Sequence, residues 1–271
     1  MTPLRWKVND RQKLVAFLQN KAGGSGKKIR KELEKNSCRI NGTFERFGSR
    51  WVEQGDVIEY FPREEEKKGF AILLENEHLQ IVDKPAGWVC SEENCRAHFG
   101  SGLFLVHRLD KDTTGALLLA KGREMREELM ALFASRSVEK EYLALVDGSP
   151  DKEEGTIQSF LAKKGSFQGQ TIWGSAPEGD LAITHWNVLK RGDRWALLKA
   201  SPETGRTHQI RVHMAEMGHP ILVDRQYAKQ YRSSLAATRP LLHAHRLQFT
   251  YRNVTVDVTA PIPADLHPFL S

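Results

Sequence analysis

His107-Arg108-Leu109-Asp110-Lys111-Asp112-Thr113-Thr114-Gly115 is a polar, charge-dense stretch set between two apolar runs, residues 103–106 and 116–120. Apolar runs of that length bounded by turn residues read as buried strands. A loop between buried strands is where a scaffold holds a reactive group. Asp110 has a base on either side, Arg108 and Lys111. Neighbouring cations favour the ionised form of a carboxylate even where burial opposes it. Such an aspartate can serve as a nucleophile or as an electrostatic anchor. The same residues also suit a plain turn in which Asp110 and Thr113 bond only the local backbone. Composition alone leaves both readings open.

The 271 residues allow one large or two unequal domains with ample core. No segment approaches the ~20 apolar residues of a membrane span, and residues 1–13 lack an apolar signal core. A cytoplasmic protein without membrane attachment is expected. Cys38, Cys90 and Cys95 make no even disulfide framework and read as reduced thiols. The net charge of +6 is unevenly placed. Residues 1–68 hold 16 Lys+Arg against 10 Asp+Glu, whereas residues 69–271 hold 24 against 24. A small basic module beside a charge-balanced larger one suggests a polyanion-docking domain attached to a domain with another task.

Within the basic module, Asp10 is a candidate cap for a helix carrying Leu14, Phe17 and Leu18 on one face. Gly23-Gly24 breaks that helix and Ser25 can cap a second. The second helix buries Ile29 and Leu33 and exposes Lys27, Lys28, Arg30 and Lys31. Asn41-Gly42 then marks a hairpin, and residues 57–61 read as a further strand. A charged, apolar-poor run at 63–69 reads as a linker.

The larger part opens with a strand at 78–83 and a turn at Lys84-Pro85-Ala86-Gly87. Met125, Leu129, Leu132 and Phe133 fall at helical spacing over 123–135, and residues 142–146 read as a strand beginning at Tyr142. Segments 155–161, 170–173, 181–190 and 195–200 suggest a long antiparallel meander. Gly205-Arg206-Thr207-His208-Gln209-Ile210-Arg211-Val212-His213 looks like a turn entering a helix, with Thr207 as a possible cap and Ile210, Met214 and Met217 facing the core. His208, His213, His219 and Asp224 invite a metal reading. However, His208 and His213 are five apart, whereas zinc ligands on one helix face are usually four apart with an acid between them. No metal is expected.

The stretch HRLDKDTTG followed by ALLLAKG closely resembles the signature of the RluA-type pseudouridine synthases. EHLQIVDKPAGW, VEKEYLALVDG, GRTHQIRVH and the later GHPI, Asp224…Tyr227, LHAHRL and APIP segments follow that family's blocks in order. Two departures stand out. The segment between Gly87 and Leu103 is shorter than the family often has, and the glycine usual before the aspartate is Val223. The two short helices and the small sheet ending in GDVIEY resemble the S-four RNA-binding domain over roughly residues 10–61.

The resemblance implies an α+β fold: a mixed, mainly antiparallel sheet with flanking helices and a central catalytic cleft, plus a small N-terminal α/β RNA-binding module. The implied divisions are an S-four-like domain at 1–63, a linker at 64–76 and a catalytic domain at 77–271. It also implies an isomerase that converts uridine in RNA to pseudouridine without a cofactor, large-subunit ribosomal RNA being favoured over tRNA. Asp110 would be the catalytic aspartate, either attacking the anomeric carbon or abstracting a ribose proton. Tyr142 would stack on the extruded base, and Arg211 would pair with Asp110. Arg108 would fill the space the base vacates. His107, Thr113, Arg206, His208 and Gln209 are further candidate substrate contacts. Lys27, Lys28, Arg30 and Lys31 would grip phosphates and carry little sequence information. A monomer is the default expectation. The competing class is a non-catalytic RNA-binding assembly factor or chaperone.

Overall fold

The computed structural model describes residues 3–33, 37–61, 70–167, 170–228, 231, 233 and 237–270. The chain divides into two units, Met1–Gly69 and Phe70–Ser271.

In the first unit β1 (Leu4–Lys7), β2 (Gln12–Lys13), α1 (Leu14–Ala22), α2 (Gly26–Leu33), β3 (Cys38–Ile40), β4 (Thr43–Phe44), β5 (Trp51–Val52) and β6 (Val57–Tyr60) follow in order. They form a four-stranded antiparallel sheet, β1-β6-β3-β4, and a separate β2-β5 pair. Asn41 and Gly42 both have positive φ, 50° and 83°, as a two-residue hairpin requires. Leu14, Phe17, Leu18, Ile29 and Leu33 pack with Val8, Val52, Ile58 and Tyr60 into one core. Lys27, Lys28 and Arg30 lie on the exposed face of α2; the Lys31 side chain lies outside the described residues. Ser25 Oγ accepts from the Lys28 N–H at 3.2 Å, as a helix cap should. Asp10 does not cap α1. Gln12 and Lys13 pair with β5 as a strand, so the helix starts only at Leu14, with Lys13 in the cap position and no side-chain cap bond.

The second unit comprises β7 (Ala71–Glu75), β8 (Leu79–Lys84), α3 (Glu92–Phe99), β9 (Leu103–Leu105), β10 (Thr114–Lys121), α4 (Arg123–Ala134), β11 (Val138–Asp147), β12 (Glu154–Phe167), β13 (Gln170–Ala176), β14 (Asp180–Gly192), β15 (Trp195–Pro202), α5 (Gln209–Glu216), β16 (Leu242–Tyr251) and β17 (Val254–Thr259). Residues 64–69 of the expected linker lie outside the described residues. Its last part is a strand, because Ile72 and Leu74 of β7 pair with Val82 and Ile81 of β8. The short segment after Gly87 folds into α3. Ser91 caps that helix, and Phe70, Trp88, His98 and Phe99 cluster around it.

The sheet of this unit runs β13-β12-β14-β15-β11-β16-β10-β8-β7, with β17 beside β16 and β9 beside β10. It is antiparallel except at β10-β16. Both faces of β10 are covered. Ala116, Leu118 and Ala120 join the core under α4, and Leu117 and Leu119 join the core under α3. A strand buried on both faces reads as a continuous apolar run, which is what residues 116–120 show. Ile210 and Met214 of α5 pack on Ala144, Val146, Leu198 and Ala200 of the meander.

β10 meets β16 through a short parallel contact, with Thr114 opposite His243 and Gly115 opposite Ala244. Gly115 has φ 110°, and a Cβ there would fall on the Ala244 carbonyl. Only glycine allows the two strands this approach. Thr114 Oγ1 lies 2.9 Å from Nδ1 of the fully buried His243, whose pKa burial pushes down to about 4. The imidazole is therefore neutral at pH 7. Gly115→Ala is expected to destabilise the protein by at least about 2 kcal/mol, through overpacking and the disfavoured φ together. The urea midpoint measures this, and an unchanged midpoint would refute the close-approach account.

Candidate active site

The loop between β9 and β10 is fixed by its own carbonyls. Lys84, fully buried at the end of β8, donates from Nζ to the carbonyls of Pro85 (3.0 Å), Lys111 (3.0 Å) and Thr113 (2.8 Å). An ammonium has three N–H donors, and all three are matched, while burial draws the Lys84 pKa down to about 8. Arg239 Nη1 reaches the Asp112 carbonyl at 3.3 Å, and its other side grips Asp265 with two bonds of 2.8 Å. The Thr113 N–H closes a turn onto the Asp110 carbonyl at 3.1 Å, and the Leu109 N–H points to Cys90 Sγ at 3.4 Å.

His107 anchors the other end. Its Nε2 accepts from the Leu118 N–H at 3.0 Å, and its ring stacks on Phe133 at 4.7 Å. Burial, with Lys140 nearby, pulls its pKa down to about 3, so the ring stays neutral.

Opposite the loop, α5 presents Arg211. Nε and Nη2 grip Asp224 at 2.6 and 2.8 Å, Nη2 also donates to Gln226 Oε1 at 2.8 Å, and Nη1 donates to Asp110 Oδ2 at 3.2 Å. Burial would lower the Arg211 pKa, but the Asp224 carboxylate outweighs it and holds the guanidinium firmly protonated.

Thr207 does not cap α5. The chain enters the helix through His208 in the left-handed region (φ 58°), and no side chain caps it. Gln209 organises this entry instead. Its Oε1 accepts from the Arg206 N–H and the Thr204 hydroxyl, and its Nε2 donates to the Ile183 carbonyl and Thr184 Oγ1. The amide is saturated by protein, so Gln209 shapes the wall.

His208 Nδ1 lies 2.8 Å from the Tyr227 hydroxyl, which accepts from the Trp173 N–H at 3.2 Å. Burial lowers the His208 pKa. Its Nε2 lies 3.9 Å from Asp110 Oδ1.

The site opens as one cavity of about 350 Å³, lined by His107, Arg108, Asp110, Thr113, Lys140, Tyr142, Arg206, His208, Gln209 and Arg211 among others. Asp110, Tyr142 and Arg211 are thus brought together from three distant parts of the chain. Arg108 is exposed at the loop, and Arg206 donates to the Leu181 carbonyl at 3.1 Å. Burial, then the nearby Asp110, raises the Tyr142 pKa, so its hydroxyl keeps its proton. The charged lining is one carboxylate among four cations. Lys84, Lys140 and Arg239 escaped the sequence reading. The only signal for Lys84 was its place in the KPAG block.

The histidines that invited a metal reading turn to separate partners. His213 bonds Thr184 and Ser159, and His219 bonds the Asp147 carbonyl. Among the described residues no group of three or more His, Cys, Asp or Glu could hold a metal ion. Val223, in the position where the family usually has glycine, has φ 67°. A β-branched residue is strained there.

A family model described as RNA pseudouridylate synthase matches residues 78–216. The chain is 35% identical over 218 residues to the ribosomal large subunit pseudouridine synthase C of Vibrio cholerae, covering 74% of this chain and 68% of that protein. It is 36% identical over 219 residues to the protein of the same name from Yersinia pestis, covering 72% and 66%. The chain therefore spans about two thirds of the length of these relatives. The solved structure of human RNA Pseudouridylate Synthase Domain Containing 1 superimposes with a TM-score of 0.63 at 26% identity, over 78% of this chain and 89% of that one. Among the described residues no helix is long and apolar enough to cross a membrane.

Two stability outcomes follow from the packing around the site. Lys84→Met should cost roughly 2–4 kcal/mol, because three carbonyls lose their donor in a dry interior; thermal or urea unfolding reads it, and a loss below 1 kcal/mol would sink this account of the loop. Val223→Gly should leave stability within about 1 kcal/mol of wild type or raise it, since relief of backbone strain offsets the lost packing. A clear destabilisation would show that Val223 is not strained.

Proposed function

The chain belongs to the RNA pseudouridylate synthase family, and on that premise we propose that it isomerises specific uridines of large-subunit ribosomal RNA, with Asp110, Tyr142 and Arg211 as its central groups. The observation that carries the assignment of residues is the Arg211–Asp110 pair opening onto a cavity that Tyr142 also lines. The names of the bacterial relatives and the excess positive charge of residues 1–68 support a large structured RNA.

The target uridine must first leave its stack, and an aromatic wall supplies a surface for the extruded base. Asp110 then either attacks C1′, breaking the bond to N1 as an ester to the ribose forms, or takes a proton from C2′ so that the base departs. In either route uracil rotates, C5 bonds to C1′ as the ester to Asp110 breaks or as the proton returns to C2′, and the C5 proton is lost. The base gains a proton at N1, so only positions change. Arg211 keeps the Asp110 carboxylate aimed. Tyr142, with its hydroxyl protonated, packs against the base and lies on the wall from which the C5 proton must leave. Arg108 is exposed beside Asp110 and suits the gap left in the RNA. His208 lines the cavity beside Asp110 and offers a ring nitrogen to the substrate. Lys27, Lys28, Arg30 and Lys31 of the first unit, which resembles an S-four domain, supply sequence-independent grip on phosphates.

Tritium release from RNA carrying uridine labelled at C5 tests this. Wild type should release tritium from unmodified large-subunit ribosomal RNA. Asp110→Asn should be slower by at least about 10³-fold, with its RNA Kd within about threefold of wild type. Release confined to tRNA would move the substrate. Wild-type turnover by Asp110→Asn would overturn the residue assignment. Binding without release from either RNA would favour the non-catalytic assembly factor.

A further inference from the structure

Lys140 has no role in the chemistry above, yet it stands on the cavity wall two residues before Tyr142 on β11. Its Nζ reaches the carbonyls of Glu203 and Thr204, both at 3.4 Å, at the long limit of a hydrogen bond. Among the described residues no carboxylate lies within ion-pair distance of it. The nearby charge is another cation, Arg136, which pairs with Glu203.

Of the other charges of the cavity, Arg108 is exposed to water and the rest are already committed. Asp110, the one carboxylate of the lining, is bonded to Arg211, and Arg211 is bonded to Asp224 as well. Arg206 lies 3.6 Å from Asp180. Lys140 is thus a half-buried cation with neither full hydration nor a counter-charge, a state that costs free energy until an anion arrives. Burial, then Arg136, draws its pKa down to about 8, the direction expected of an uncompensated ammonium. At pH 7 the amine remains mainly protonated. RNA carries its anions in the backbone, and a nucleotide whose base reaches Tyr142 brings its own phosphodiesters with it.

We propose that Lys140 is a substrate-binding residue whose ammonium takes a phosphodiester oxygen adjoining the extruded uridine. The assignment rests on the uridine-isomerase reading of the cavity and extends it to the backbone of the target nucleotide. An ammonium is a compact point charge suited to a single phosphate oxygen. Its long tethers to two carbonyls leave it free to turn toward that oxygen.

The test uses the full chain with Lys140→Met and Lys140→Arg, and a short ribosomal RNA fragment containing the target. Kd is measured in the Asp110→Asn background, so that it does not depend on turnover. Lys140→Met should raise KM and Kd by about tenfold or more, with kcat within about threefold of wild type. The slope of log Kd against log[KCl] should become shallower by about 0.7, the loss of one phosphate contact on single-stranded RNA. Lys140→Arg should restore most of the affinity. A methylphosphonate on one side of the target uridine should weaken wild type by a similar factor and Lys140→Met by less than threefold.

An unchanged salt slope would overturn the proposal. If kcat fell with it, Lys140 would contact a uracil oxygen; if only the melting temperature fell, it would merely tie two carbonyls. Wild type that binds the fragment but releases no tritium would overturn the uridine reading, while the Kd and salt data would still decide whether Lys140 meets a phosphate.

Discussion

The Arg211 guanidinium, shared between Asp224 and Asp110, is the interaction on which the cleft depends. Asp224 is buried and takes two of the five N–H donors, Gln226 takes a third, and the edge that remains is aimed at Asp110. A planar fork fixed on one side has little freedom on the other. The direction of the Asp110 carboxylate is thus set by a residue 101 positions away in the chain. Removing either carboxylate would leave the cation partly unbalanced in a dry setting, which is costly.

The loop bearing Asp110 is held by the opposite arrangement. There the protein gathers carbonyls, and cations answer them: Lys84 from β8 and Arg239 from the segment before β16. Neither cation is on the cavity wall. They spend their hydrogen bonds on backbone, so Asp110 can project its side chain while its own peptide framework stays saturated. The result is a cavity with more positive than negative charge, suited to a polyanion.

Much of this was legible in the sequence because the informative groups are contiguous. HRLD marks the loop, the apolar run after it marks a strand covered on both faces, and GRTHQIR marks the entry to α5. Less legible was whatever acts only through the tertiary fold. Lys84 reads as part of a turn until three carbonyls converge on its amine. Arg239 sits in no motif, and Lys140 looks like one more lysine in a charged strand. The two misplaced helix caps share a cause. Asp10 and Thr207 have the right chemistry, but a strand pairing at Gln12–Lys13 and a left-handed residue at His208 set the helix starts by backbone geometry. His107 and Gln209 belong to the motifs, yet their polar atoms are engaged by the protein, which the motif cannot reveal. The departure at Val223 was visible, but only its φ gives it a physical meaning.

The parallel contact of Thr114 and Gly115 with His243 and Ala244 also bears on how the protein is made. It joins positions 129 residues apart, and no local turn can form it. Closing a loop of that length carries its entropic cost before any contact rewards it, so such pairings form late in folding. During synthesis, the segment with Asp110 leaves the ribosome long before Arg211, and Arg211 before β16. The nascent chain therefore passes through a stage in which the edge of β10 facing β16 and the carbonyls later bound by Arg239 are uncovered. Such an unpaired edge is open to wrong partners. The same topology makes the cleft an all-or-none product of folding, since no fragment ending before residue 243 contains both the loop and the strand that closes it.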